Sequence, residues 1–344
     1  MNKTKNMEEK LQEEQAIKYL ENKLGNKPRK RRFYLISSVL LAVFVFFMFR
    51  SGANFQVFGD ESLFARTMSF FGMSRAEEKK TVDVVVFGLR GKNDVNGGLL
   101  TDTIMLLRYD KEKKRGALIS IPRDLYVEMP GFGKKEKINF AYELGEKRGK
   151  GEGLKYAKEV VGDICGLNAD YAIAVDFAAF EKVIDQLGGI DITLEKNFSE
   201  PNQWGGMIFY LPKGNNHLSG EKALYYVRSR FSTNDFDRAR RQQDVLTAVK
   251  DKALTLGILS NPFRVYGMAK TLAEHVQTDF GINEMIDMIT IVKETRGSVP
   301  IRKVFDISKD GLLDSSYVNG SYILLPKNND FDSLKNACQN VFEN

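Results

Sequence analysis

VDVVVFGLR, residues 82–90, decides the fold. Valine, phenylalanine and leucine occupy both alternating sets of positions, so a strand here buries both of its faces. Such a strand belongs inside a sheet that carries helices above and below. Working outward, TIMLLRY (103–109), GALISI (116–121), DYAIAVDF (170–177), IDITL (190–194) and SYILLP (321–326) read as further strands. Helical spacing of apolar residues covers 151–164, 178–187, 219–227, 237–256, 263–277, 282–294 and 331–342. Strands alternating with helices of this length predict an α/β fold, an α-β-α sandwich around a central mixed sheet. The main domain spans residues 81–298. Residues 299–344 read as a C-terminal extension packed on it.

Upstream of the domain the chain changes character. Residues 33–49, FYLISSVLLAVFVFFMF, hold no charge, and as a helix they span about 25 Å, the short end of a bilayer crossing. KPRKRR (27–32) precedes them, so the positive-inside rule places residues 1–32 in the cytoplasm and everything after about residue 50 outside. A cleaved signal peptide fits less well, because its basic region would start near residue 1 and its apolar region would be shorter. Residues 1–32 are then a cytoplasmic tail, 33–49 a transmembrane helix and 50–80 a stalk.

The 344-residue chain is 43% hydrophobic and 28% charged, ordinary for a globular protein. Its net charge is +6, yet ten lysines and arginines against five glutamates place +5 of it within residues 1–32. Basicity is therefore a property of the tail, which removes the electrostatic support for a nucleic-acid-binding domain. Two cysteines, Cys165 and Cys338, lie outside the membrane in this topology. An oxidising compartment permits a disulfide, and two buried free thiols fit the sequence as well.

Only two histidines are present, His217 and His275, which argues against a Ser-His-Asp triad or a histidine zinc site. No glycine-rich phosphate loop occurs either. What recurs is arginine beside carboxylate. SIPRD (120–124) follows a strand, and Pro122 forces a turn that delivers Arg123 and Asp124 to the strand's C-terminal edge. LLTDT (99–103) sets Asp102 at the start of a strand. In KEKINFAY (135–142), Lys137 and Asn139 share one face of an extended segment. In YVRSRFSTNDFDRARRQQD (226–244), Arg228 and Arg230 point the same way if extended. Arg238, Arg241 and Gln242 then share a helix face, Asp235 or Asp237 caps that helix, and Arg240 faces solvent. Each element alone reads as a salt bridge or a solvated surface. As a set, arginines interleaved with acids suit bidentate gripping of phosphate oxygens, and phosphate chemistry needs charge stabilisation more than a special nucleophile.

LLTDTIMLL, SIPRD, KIN-x-A (137–141), VDF-x-x-F (175–180), IDQLGGI (184–190), LSG-x-x-AL-x-YVR-x-R (218–230) and D-x-x-R-x-x-RQQ (235–243) occur in the order of the LytR-CpsA-Psr family, which residues 82–256 resemble. The resemblance implies a membrane-anchored extracytoplasmic phosphotransferase. Such an enzyme moves a glycopolymer from a polyprenyl pyrophosphate carrier to a wall acceptor, usually a muramyl hydroxyl of peptidoglycan, with magnesium assisting. Partners would be the lipid-linked glycan, peptidoglycan and membrane lipid, with no nucleic acid. Catalytic roles fall to Arg123, Asp124, Asp235 and Arg238, and pyrophosphate contacts to Lys137, Arg228, Arg230, Arg241 and Gln242. Asp102 would be a Mg2+ ligand, Asp235 a base toward the acceptor hydroxyl, and an apolar tunnel between sheet and helices would hold the lipid.

Two departures stand out. Leu100 replaces the family's usual arginine before the Asp-Thr pair, and Arg90 stands where an aspartate commonly ends the first strand. Either a cation has replaced a metal-binding carboxylate, or Asp94 in the following loop serves, and weaker metal dependence is expected. Two other readings remain open on sequence: hydrolysis of the same lipid pyrophosphates, and a non-catalytic binder or regulator of the envelope. Convergence of Arg123, Arg230 and Arg238 on one cavity would separate the enzyme from the binder.

Overall fold

In the computed structural model, Thr81–Leu89 is strand β1, and it lies inside a six-stranded sheet. The structure describes residues 79–343 apart from 92–93, 95–97, 202–205, 231, 259–264 and 266–271. The tail and span expected in 1–49 lie outside the described residues, as does all but the last part of the expected stalk. Among the described residues, no helix is long and apolar enough to cross a membrane.

β1 runs antiparallel to β2 (Thr101–Asp110), which runs antiparallel to β3 (Arg115–Ser120). A hairpin of β4 (Tyr126–Met129) and β5 (Lys134–Lys137) follows. Helices α1 (Ala141–Arg148) and α2 (Gly153–Cys165) then lead to β6 (Tyr171–Asp176), parallel to β1. Beyond helix α3 (Phe177–Gln186), β7 (Ile190–Leu194) precedes a small hairpin, β8 (Phe198–Pro201) and β9 (Met207–Leu211), before pairing with β10 (Gly214–Leu218). Helices α4 (Gly220–Arg228) and α5 (Asp235–Thr255) come next, then β11 (Val276–Thr278), α6 (Ile282–Glu294) and β12 (Ile301–Val304). Hairpin β13 (Leu313–Val318) and β14 (Ser321–Pro326), with helix α7 (Phe331–Gln339), closes the chain. The sheet order is β11-β6-β1-β2-β3-β12, with parallel and antiparallel pairs. The expected mixed sheet is present.

One expectation needs correction. Residues 276–278 form edge strand β11 rather than the end of a helix, because three residues are too few to carry a period. Within the C-terminal segment, Leu313, Leu324 and Leu334 join the main core, and β12 pairs in parallel with β3 and becomes the sheet's other edge. Cys165 at the end of α2 and Cys338 in α7 are joined as a disulfide, and the buried Arg108 guanidinium donates to the Cys338 and Gln339 carbonyls at the end of α7.

The two faces of the sheet differ. Val85, Phe87, Leu106 and Ile119 pack solidly with α1, α2 and α7. The other set, including Val86, Met105, Ile173 and Val175, lines a cavity of about 520 Å³ roofed by α3, α4 and α5. Val84, Leu107 and Leu118 line a neighbouring cavity of about 360 Å³ under α5 and α6. Protein interiors rarely leave voids much larger than a water molecule, so an apolar space of this size under a packed sheet is a ligand-sized feature.

Candidate active site

Three strand ends and one helix start converge at the mouth of the larger cavity. β1 and β2 shift register at Gly88 and Leu89, where the strands approach so closely that a Cβ on Gly88 would sit 2.8 Å from Thr103 Cβ. The bulge lies just before Arg90. Asp102 is the second residue of β2. After β3, Pro122 opens a turn closed by the Leu125 N–H on the Pro122 carbonyl at 3.1 Å, and Arg123 sits inside it. α5 begins with Asn234 as its N-cap, its side chain accepting from Asp237 N–H at 2.8 Å, so neither Asp235 nor Asp237 caps the helix. That frees Asp235 to pair with arginines.

The charges alternate. Asp102 receives Arg90 Nε on one oxygen at 2.9 Å and Arg123 Nη1 on the other at 2.5 Å. Asp124 lies 3.6 Å from Arg123 Nε and accepts from Lys137 Nζ at 2.8 Å. Asp235 accepts from Arg238 Nη2 at 3.0 Å and sits 3.3 Å from Arg230 Nε. Arg238 Nη2 also donates to the Asp102 carbonyl, closing α5 onto β2. Burial by itself would raise the Asp102 carboxyl, but Arg123 and Arg90 outweigh it and hold the group below its ordinary value of 3.8. Burial pushes Arg238 down to about 10. Asp235 opposes that shift, while Arg123 and Arg230 repel and add to it.

Arg123 Nε, Arg238 Nε and Asp235 Oδ1 are all buried without a hydrogen bond. Arg123 Nε and Asp235 Oδ1 keep ion-pair partners at 3.6 and 3.3 Å, so the salt-bridge network still has hydrogen-bonding capacity to offer a ligand, which favours one because an unmet buried polar atom costs about 1–3 kcal/mol. Arg90, Asp102, Arg228, Arg230, Arg238 and Gln242 all line the cavity, so its mouth is cationic and its depth apolar. Of the three arginines whose convergence on one cavity would separate an enzyme from a binder, Arg230 and Arg238 line this cavity, whereas Arg123 lines a small cleft that shares Arg238 with it.

Other expected residues fall elsewhere. Arg241 does not reach the cavity: its Nε donates to Tyr226 O, Nη1 to Thr233 Oγ1 and Nη2 to Ser229 O, so it braces the α4–α5 connection. Its assignment as a pyrophosphate contact is overturned, because a face three residues round from Arg238 points at α4. Arg228 is the last residue of α4 rather than part of an extended pair with Arg230, and its guanidinium lies 4.3 Å from the centre of the Phe177 ring. Lys137 reaches Asp124 rather than the cavity wall, and Asn139 sits in a 3₁₀ turn, not on an extended face beside it. Arg240 does face outward, pairing with Asp237 and Asp306.

Asp102 also fits poorly as a Mg2+ ligand. Both oxygens are engaged by guanidinium groups, and among the described residues no cluster of three or more His, Cys, Asp or Glu side chains could hold a metal. Mg2+ is commonly held by one or two carboxylates with waters and substrate phosphates, and at Asp102 it would first have to displace a guanidinium.

The LytR_cpsA_psr family model matches residues 59–340. The chain belongs to the LytR-CpsA-Psr family. Regulatory protein MsrR of Staphylococcus aureus (strain Mu50) is 35% identical over 196 residues, 56% of each chain. The polyisoprenyl-teichoic acid–peptidoglycan teichoic acid transferase TagU of Bacillus cereus is 29% identical over 217 residues, 62% of this chain and 65% of TagU. The crystal structure of Bacillus subtilis TagV superposes with a TM-score of 0.59 at 26% identity, covering 77% of this chain and 98% of that one. The match thus spans between half and two thirds of the length of MsrR and TagU. In this LytR-CpsA-Psr chain, Phe177, which packs on Arg228, and Gln243, which ties α5 to β3 and β12, lie inside the VDF-x-x-F and D-x-x-R-x-x-RQQ motifs but had no role assigned from sequence.

Proposed function

We propose that this chain is an extracytoplasmic phosphotransferase, anchored through residues 33–49. It moves a glycopolymer from a polyprenyl pyrophosphate carrier to a hydroxyl of a wall acceptor such as peptidoglycan. One observation carries the reading: Arg238 on the wall of an apolar cavity of about 520 Å³ and Arg123 in the adjoining cleft each keep a buried Nε donor that makes no hydrogen bond. That combination suits an amphiphile with a polyanionic head and a long hydrocarbon tail. Family membership and the teichoic acid transferase name carried by TagU support the same substrate class.

Arg123, Arg230 and Arg238 grip the pyrophosphate oxygens, with Arg228 and Gln242 at the cavity wall. Asp124, with Lys137 on its other oxygen, orients Arg123. The acceptor oxygen bonds to the phosphorus that carries the glycan, and the bond from that phosphorus to the bridging oxygen breaks. Polyprenyl phosphate leaves with the electron pair. Asp235 Oδ1, buried with no hydrogen bond of its own, takes the hydroxyl proton. The arginines stabilise charge as it moves to the bridging oxygen, which is where most of the rate enhancement arises.

The test incubates the full chain in detergent with a lipid-pyrophosphate-linked glycan and peptidoglycan oligomers. Glycan joined to peptidoglycan through a phosphodiester should appear in step with polyprenyl phosphate. Free glycan phosphate would mean that water is the acceptor and the protein a hydrolase. The Arg230→Ala protein should fold normally and turn over nothing; undiminished turnover refutes the clamp.

A further inference from the structure

Each of the three carboxylates of the clamp is already shared between two cations. Asp102 is shared by Arg90 and Arg123, Asp124 by Arg123 and Lys137, and Asp235 by Arg230 and Arg238. These three carboxylates stand against five cations; at the cavity wall Arg228 makes a sixth cation and Asp176 a fourth carboxylate, whose oxygens meet Ala179 N–H and His275 Nδ1. Arg90 completes this pattern from the end of β1. Among the described residues its one hydrogen bond runs through Nε to Asp102. Its Nη groups therefore keep their donor capacity on a side chain that lines the cavity. A divalent cation arriving here would have to strip a guanidinium from Asp102 and then sit among positive charges. Each of those charges would repel it in a partly dry site where Coulomb terms are screened little.

We propose that Arg90 takes the place of the divalent cation in this chain. It is a built-in positive charge that binds the substrate's pyrophosphate, so that the site works without metal. Arg90 and Arg123 are held by the two oxygens of one carboxylate, Asp102, Arg90 on the cavity wall and Arg123 in the adjoining cleft, and a guanidinium fork suits phosphate oxygens. Arg90 is fixed by the chain itself, so it is in place before the lipid arrives. A metal would have to be recruited with the lipid. This inference rests on the pyrophosphate reading of the site and adds one statement to it, that the charge is supplied by arginine.

Calorimetric titration of the full chain in detergent with geranylgeranyl pyrophosphate, with excess EDTA and then with Mg2+, tests both layers. The expected result is a dissociation constant that changes less than about threefold between the two conditions, well under one tenfold step of 1.4 kcal/mol. In the Arg90→Asp protein the probe should bind about tenfold or more weakly under EDTA and recover with Mg2+, because the exchange creates an aspartate pair with Asp102. Mn2+ titration followed by electron paramagnetic resonance should find a site in Arg90→Asp and none in the unaltered chain. Binding to the unaltered chain that collapses under EDTA and returns with Mg2+ overturns the inference and leaves the clamp standing. No binding in either condition overturns both. The unaltered chain decides the matter by itself if the variant does not fold.

Discussion

Gln243 Nε2 lies 2.9 Å from Ser120 Oγ and 3.0 Å from the Lys303 carbonyl. Ser120 ends β3, three residues before Arg123, and Gln243 follows the cavity-lining Gln242 on α5. Together with Arg238 Nη2 on the Asp102 carbonyl, this amide therefore ties the helix that carries Arg238 to the strand that leads to Arg123. Gln243 is 1% exposed, so water cannot replace it. Gln243→Ala should cost about 1–3 kcal/mol in urea denaturation, the penalty for leaving buried polar partners unmet. It should also lower the transfer rate through a clamp that no longer closes in register. A variant with full stability and full rate would show that α5 is positioned by its apolar contacts alone.

Arg238 and Arg241 are three residues apart, both 6% exposed, and their replacement should have opposite consequences. Burial pushes Arg238 down to about 10 and Asp235 opposes that shift, while Arg123 and Arg230 repel its charge, a repulsion that a bound pyrophosphate would relieve. Arg238→Ala should leave stability within about 1 kcal/mol of the original while cutting transfer by about a hundredfold or more. Arg241 satisfies Tyr226 O, Ser229 O and Thr233 Oγ1 and touches no ligand surface. Arg241→Ala should cost about 3 kcal/mol or more, and any rate loss should follow the unfolded fraction. Denaturation and kinetics measured on the two proteins side by side separate the ligand-gripping role from the bracing one.

That pair also marks where the sequence stopped being informative. Helical spacing places Arg238, Arg241 and Gln242 near one another on α5, but which neighbour meets each one is decided by α4, whose orientation no local pattern encodes. Pro122 was legible because its ring fixes the backbone and removes a donor, so the turn that presents Arg123 follows from local chemistry. The strand character of β1 was legible for the same local reason. The pairing of β12 with β3 was not, since it joins residues about 180 positions apart. Nor was the hollow face: Val86 and Met105 facing a cavity leave the same residue pattern as Phe87 and Leu106 facing a packed core.

The Asp102 carboxyl is held below 3.8 because Arg123 and Arg90 outweigh its burial. A depressed carboxyl stabilises the fold fully above its unfolded value, and that contribution is lost as pH falls through the lower folded value. The pairing should therefore be intact at neutral pH and fade only below about pH 4. Asp102→Asn should be less stable by about 1–3 kcal/mol at neutral pH, because Arg90 and Arg123 then lose their shared counter-charge. The two melting curves should converge as pH drops below about 4. A gap that persists unchanged into acid would mean that the Asp102 charge is not what the arginines add.

Leu246, Val249 and Ala253 lie at helical spacing on α5 and line both cavities, the one of about 520 Å³ at the clamp and its neighbour of about 360 Å³. A short prenyl chain held at the clamp is expected to end before this row, and a long one to run past it toward the second space. Ala253→Trp narrows that passage without touching the charged mouth. Each buried methylene contributes about 0.8 kcal/mol, so excluding only a few of them lowers affinity for a long chain by more than tenfold. Binding of geranylgeranyl pyrophosphate should hardly change, and binding of a long polyprenyl pyrophosphate should fall steeply, so the ratio of the two is the measurement. Equal losses for both lengths would place the damage at the clamp or in folding. Equal retention would mean that the lipid leaves the cavity before reaching α5's apolar row.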